Sequence, residues 1–246
     1  MSKEPYRLYA DAVMEKLQKA FRQEKEIQVA AKWIAECLKN QGWIYTVGTG
    51  HSHMFAEEIF YRAGGFARVR PILDPDLMLH VDASGSTAIE RTEGYAAKLL
   101  KKYPISKEDV LLISSNSGRN AVSIELAQLA KKKGAKVIVF TNHAHSKSVD
   151  SRHSSGLKLF QLGDLFFDNF GEIGDAAIPF EGLEGKVGAT STVVGTALVQ
   201  AIMVQTVGLL LKDGITPEVF ISSNSDAGEA NNEALLAKYK PLVRGL

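Results

Sequence analysis

Apolar residues recur at helical spacing over the first forty positions. Leu8, Val13, Leu17 and Phe21, then Ile27, Val29, Ala31, Ile34 and Leu38, stand among charged neighbours and predict two helices between Pro5 and Asn40. After Gly42 the pattern changes. Trp43–Val47 is a short, β-rich apolar run that ends in Gly48-Thr49-Gly50-His51-Ser52, and a helical stretch from Met54 to Arg62 follows. The phrase then recurs. Val110–Ile113 leads into Ser114-Ser115-Asn116-Ser117-Gly118-Arg119-Asn120 and an amphipathic helix, Ala121–Lys133, and Lys136–Phe140 leads into Thr141-Asn142-His143-Ala144-His145-Ser146. Weaker runs at Val69–Leu73 and Leu165–Phe167 bring the expected strands to five.

Continuous apolar strands separated by helices predict parallel pairing with both faces of the sheet covered, because only a crossover returns the chain to the same end of a sheet. The fold class is therefore α/β, a three-layer, doubly wound, five-stranded parallel sheet with N-terminal helices. Residues 1–40 read as a helical extension suited to dimerisation, 41–211 as the main domain, and 212–246 as a tail packed on it, with a Val219-Phe220-Ile221 run, a polar turn at Ser222–Gly228 and a last helix near Ala230–Tyr239.

One stretch competes with a soluble reading. Gly188–Leu211 has no charged residue and is long enough to cross a bilayer. Gln200, Gln205 and several Ser and Thr weaken its hydrophobicity, and no basic cluster flanks it, so a helix central to a fold or clamped between subunits is expected and a membrane partner is not. Lys and Arg number 29 against 28 Asp and Glu, a net charge of +1 that gives no general field for nucleic acid. The lone Cys37 cannot form an internal disulfide, and the charged segment that follows Met1–Glu4 leaves no room there for the apolar stretch of an export signal. A cytoplasmic protein is expected.

In open parallel sheets ligands gather beyond the carboxyl ends of the strands, where chain order reverses. The Ser114–Asn120 loop packs hydroxyls and an amide around Gly118 before a helix, which suits an anion held by hydroxyls and backbone N–H groups at the helix N-terminus. One helix cap would need fewer such residues. Gly48-Thr49-Gly50 opens like a dinucleotide fingerprint, but His53 stands at the third glycine's position; neither G-x-x-x-x-G-K-[ST] nor G-x-S-x-G occurs, so P-loop and serine-hydrolase chemistry are disfavoured. Five of the six histidines, His51, His53, His143, His145 and His153, fall on or soon after predicted strand-end loops, where imidazoles can move protons near neutral pH. No H-E-x-x-H motif or cysteine pair accompanies them, so neither a metal nor another cofactor is expected. Glu57 and Glu58 follow the first loop, and Glu90 and Glu93 are read as lying on a helix that begins after a Ser84–Thr87 turn. Glu90 is the carboxylate best suited to removing a proton next to a carbonyl, although acids at helix starts more often serve the helix dipole.

The wording GTGHS at Gly48–Ser52, ISSNSGRN at Ile113–Asn120 and STVVGTAL at Ser191–Leu198 resembles the sugar isomerase (SIS) domain family over roughly residues 40–211. GHSHMFAEEIFYRAGG, SRHSSGLKLF and VFISSNSDAGEANNE look most like its bacterial UPF0309 branch. The resemblance implies a flavodoxin-like sheet, helix-mediated dimers or higher homo-oligomers, and a phosphorylated sugar or amino sugar held where the first and third strand loops meet. It also implies a phosphosugar site of Gly50, Ser52, Ser115, Asn116, Ser117, Gly118 and Asn120, with Ser191 and Thr192 beside it. Glu58 and Arg62 stand where phosphoheptose isomerases carry a histidine and a glutamate, a departure from that enzyme's metal site. The expected activity is aldose–ketose isomerisation in the style of phosphoheptose isomerases, with Glu90 and either His51 or His143 moving the proton. Amino-sugar-phosphate lyase or etherase action, and sensing without turnover, are the competing readings.

Overall fold

The computed structural model describes residues 3–224 and 226–246. Helices cover both faces of one sheet, and the chain reaches it through α1 (Pro5–Phe21) and α2 (Glu24–Lys39). There follow β1 (Ile44–Gly48), α3 (His53–Glu58), β2 (Val69–Pro71), α4 (Ala83–Ile89), α5 (Tyr95–Lys102), β3 (Val110–Ser114), α6 (Ala121–Lys132), β4 (Lys136–Thr141), α7 (His143–Ser148), α8 (Leu159–Leu162) and β5 (Leu165–Asp168). A small antiparallel hairpin, β6 (Ala176–Pro179) with β7 (Lys186–Ala189), precedes the long α9 (Ser191–Lys212), and α10 (Asp226–Tyr239) ends the chain. Ser225, in the middle of the polar turn expected from the sequence, lies outside the described residues.

The five main strands are all parallel in the order β2-β1-β3-β4-β5. Alternation along each strand explains the two cores. Ile44, Leu112, Ile138 and Phe140 face α2, α3 and α9, whereas Tyr45, Val47, Leu111, Ile113, Val137 and Val139 face α5 and α6. Because both faces are covered, the strands lack polar alternation. A third, smaller cluster of Ala67, Phe220, Leu235, Tyr239 and Val243 packs the C-terminal segment beside Trp43, and an isolated antiparallel bridge joins Phe66 to Val219.

By length and composition α9 alone among the described helices could cross a membrane. In the fold it buries Val194, Leu198, Val199, Ile202, Met203 and Leu210 and packs against α1, α2 and α3. Its polar residues are used: the Thr206 hydroxyl donates to the Ile202 carbonyl, Gln200 to Glu58, and Gln205 to Gln28.

Chain order reverses between β1 and β3. The chain leaves β1 for β2 on one side and returns on the other, which opens a crevice at their carboxyl ends. Register fixes that crevice closely: Gly48, the last residue of β1, is paired with Ser114, the last of β3, so the two loops that follow start side by side.

Candidate functional site

The first loop turns sharply at Gly48. A Cβ there would meet the Ser52 carbonyl oxygen at 2.0 Å, so glycine is what allows the chain to fold back and set Ser52 over the end of β1. The Gly50 carbonyl is taken by His53 Nδ1 at 2.5 Å, and this contact closes the turn into α3. In the second loop Gly118 has φ +58°, a left-handed conformation that glycine adopts without strain, and its amide donates to Ser115 Oγ at 3.2 Å. The loop is pinned from outside. Leu159 N donates to the Gly118 carbonyl, Thr141 Oγ1 and Asn142 N donate to the Asn116 carbonyl, and Asn169 Nδ2 donates to Asn116 Oδ1. Among the described residues, the Ser52 and Ser117 hydroxyls make no hydrogen bond to the protein.

These loops form one wall of a cleft of about 250 Å³ lined by Thr49, His51, Ser52, Glu90, Ser115, Asn116, Ser117, Asn120, His145, Gly174, Asp175 and Ser191. A narrow inner recess continues past Ser114, Asn169 and Thr192 to Phe55 and Gly195. Glu90 is bridged between the loops, since Thr49 Oγ1 and Asn120 Nδ2 each donate to its carboxylate at 2.7 Å. It is the C-terminal cap of α4. The Ser84–Thr87 residues read from the sequence as a turn before this helix are inside it, and the helix starts instead at Asp82, whose carboxylate accepts from Gly85 N. A carboxylate at a helix C-terminus gains nothing from the helix dipole, so that reason for Glu90's placement falls away.

Beyond Asn120 the site becomes basic. Arg152 Nη1 donates to Asn120 Oδ1 at 3.2 Å and its amide donates to the Arg119 carbonyl. Burial, together with the nearby Arg119 and Arg91 guanidiniums, lowers the Arg152 pKa, with Glu90 acting in the opposite sense. On the far wall Asp175, with φ +74°, accepts from Thr190 N, Ser191 N and Ser191 Oγ, the last at 2.6 Å, and so occupies the N-terminus of α9.

The expected residues divide accordingly. Ser52, Ser115, Asn116, Ser117, Asn120, Ser191, Glu90 and His51 meet in the cleft, Thr192 borders its recess, and Gly50 and Gly118 shape the loops without lining it. His143 does not join them. Its ring lies against Phe160 and Phe166, with centroids 4.9 and 5.1 Å away, while His145, two residues on, lines the cleft. Glu58 and Arg62 pair with each other, and Glu58 also accepts from Gln200, outside the cleft lining.

A cleft of hydroxyls and an amide-rich loop at the β1/β3 switch point of a 2-1-3-4-5 sheet defines an α/β domain of the SIS kind. The SIS domain model matches residues 6–142, and the chain belongs to that family. Its relatives are UPF0309 proteins: one from Halalkalibacterium halodurans is 44% identical over 217 residues, covering 88% of this chain and 90% of the relative. Another, from Shouchella clausii, is 42% identical over 238 residues, covering 94% and 97%. Among solved structures, the Vibrio vulnificus NanR protein complexed with ManNAc-6P superposes with a TM-score of 0.50 at 16% identity, covering 99% of this chain and 72% of that one.

Proposed function

We propose that the chain binds a phosphorylated sugar or amino sugar in this cleft and interconverts its aldose and ketose forms. The observation that carries the reading is the pair of unpaired hydroxyls, Ser52 and Ser117, set on adjacent loops by the Gly48–Ser114 register at the N-terminus of α6. Hydroxyl donors and a helix N-terminus suit a phosphomonoester, and the Arg119 and Arg152 guanidiniums add a field that favours a dianion. Glu90 then faces the sugar as the base. ManNAc-6P, held by a protein of the same fold, is an example of the ligand class we carry over.

We assign the work to a cytoplasmic homodimer. Cys37 is buried and unpaired, and burial pushes its thiol up to about 12, as expected of an inert thiol in a reducing compartment. On α9, Val193, Val204 and Leu211 are exposed, and they are spaced by 11 and 7 residues, close to whole numbers of helical turns. That stripe suits a second copy of the chain.

The test is turnover of a panel of aldose and ketose phosphates followed by proton NMR in deuterated water. Interconversion with deuterium entering the carbon next to the carbonyl is expected, and Glu90→Gln should lower the rate by about 10²–10⁴-fold. A panel in which ligands bind and none is converted would refute the isomerase reading.

A further inference from the structure

Two imidazoles line the cleft, and only one is held. The His51 ring is exposed and, among the described residues, has no hydrogen-bond partner. His145 is fixed at both ends. Its amide donates to Asn142 Oδ1 at 2.9 Å, Asn142 is itself anchored by Nδ2 donating to the Glu172 carbonyl, and its ring Nδ1 accepts from Gly174 N at 2.8 Å. A backbone amide can only donate. Nδ1 is therefore the lone-pair nitrogen, and the neutral ring carries its proton on Nε2. Burial, aided by the Arg119 charge and opposed by Asp175, holds this imidazole below its ordinary pKa of 6.5 and so favours the neutral ring.

Glu90 and His145 enter the same cleft from different elements, the end of α4 and the loop-proximal turn of α7. Enolisation requires two groups of this kind, a base for the carbon acid and a donor for the carbonyl oxygen. Resting on the isomerase reading above, we propose that His145, through Nε2–H, is the catalytic acid of the proton transfer that Glu90 begins. Glu90 takes the proton from C2 of the open-chain aldose, the C–H electron pair forms the C1=C2 bond, and the carbonyl pair moves to O1, which takes the Nε2 proton. The imidazolate then removes the O2 proton, the O2 pair forms the ketose carbonyl, and the Glu90 proton is delivered to C1. Atoms and charge balance with no external oxidant or reductant.

Two measurements test this. His145→Gln should lower kcat for the turned-over sugar phosphate by about 10²–10⁴-fold while its binding, read as ligand-induced thermal stabilisation, changes by less than about threefold. In the unmutated protein, ¹⁵N NMR of the rings at pH 7 should show His145 neutral and protonated at Nε2, with that resonance moving when the sugar phosphate is added. An unchanged kcat in the variant, or a His145 ring that is charged or protonated only at Nδ1, would overturn the assignment. Sugar phosphates that bind to the unmutated chain without turnover would also overturn it while leaving the phosphate site intact. Absence of any binding would remove the site reading itself.

Discussion

Ser117 carries a hydroxyl that, among the described residues, has no protein partner, while Ser115, Asn116, Gly118 and Asn120 hold the loop through hydrogen bonds of their own, so its substitution reads out the ligand rather than the fold. Ser117→Ala should weaken binding of a sugar phosphate by about 10-fold, the loss of one hydrogen bond to a charged group, and leave the unphosphorylated sugar unaffected, as calorimetric titration can check. His145 adds a pH signature. Because its folded pKa is depressed, stability is fully present above about pH 6.5 and declines as pH falls through the folded pKa, so the melting temperature of His145→Gln should fall less between pH 7 and 5 than that of the unmutated chain. At this scale the sequence was partly legible. The serines and Asn120 announced themselves as a polar cluster before a helix, but His143 and His145 are two residues apart on α7, about 200° around the helix, so only one could enter the cleft, and neighbouring Phe160 and Phe166 claimed His143. Asp175 gave no signal, since its role depends on a hairpin that brings it to the start of α9.

Elements were read most faithfully where the sheet is buried on both sides. Within Ile44–Gly48, Val110–Ser114 and Lys136–Thr141 every position except Ser114 and Lys136 is buried, because helices cover both faces of the sheet, and the runs are accordingly rich in apolar residues. The hairpin of β6 and β7 leaves no strand pattern in the sequence: each strand has four residues, most are partly or fully exposed, and Pro179, Gly182, Gly185 and Gly188 punctuate the stretch like a loop. The helix expected to reach Arg62 stops at Glu58, and Tyr61 takes a left-handed φ of +43° as the chain turns toward β2. The turn at the end of β1 makes a prediction of its own. Gly48→Ala must push the Ser52 backbone away, which should destabilise the fold by on the order of 2 kcal/mol, a fall of about 4–8 °C in melting temperature, and should also impair sugar-phosphate binding.

At the scale of the whole molecule the most apolar segment has two differently used sides. α9 is buried along one side by α1, α2 and α3, while Val204 is 72% and Leu211 55% exposed on the other. If that stripe meets a second copy, Val204→Glu should shift the chain from dimer to monomer in light scattering without altering its circular dichroism; a species of unchanged mass would place the subunit contact elsewhere. Whether adjacent loops after β1 and β3 cradle a phosphomonoester is decided by a crystal structure of the protein with a bound sugar phosphate. Phosphate oxygens are expected about 2.6–3.2 Å from both Ser52 Oγ and Ser117 Oγ, with the sugar extending toward Glu90 and His145. A phosphate seated anywhere else on the molecule, or a sugar pointing away from Glu90, would contradict this placement.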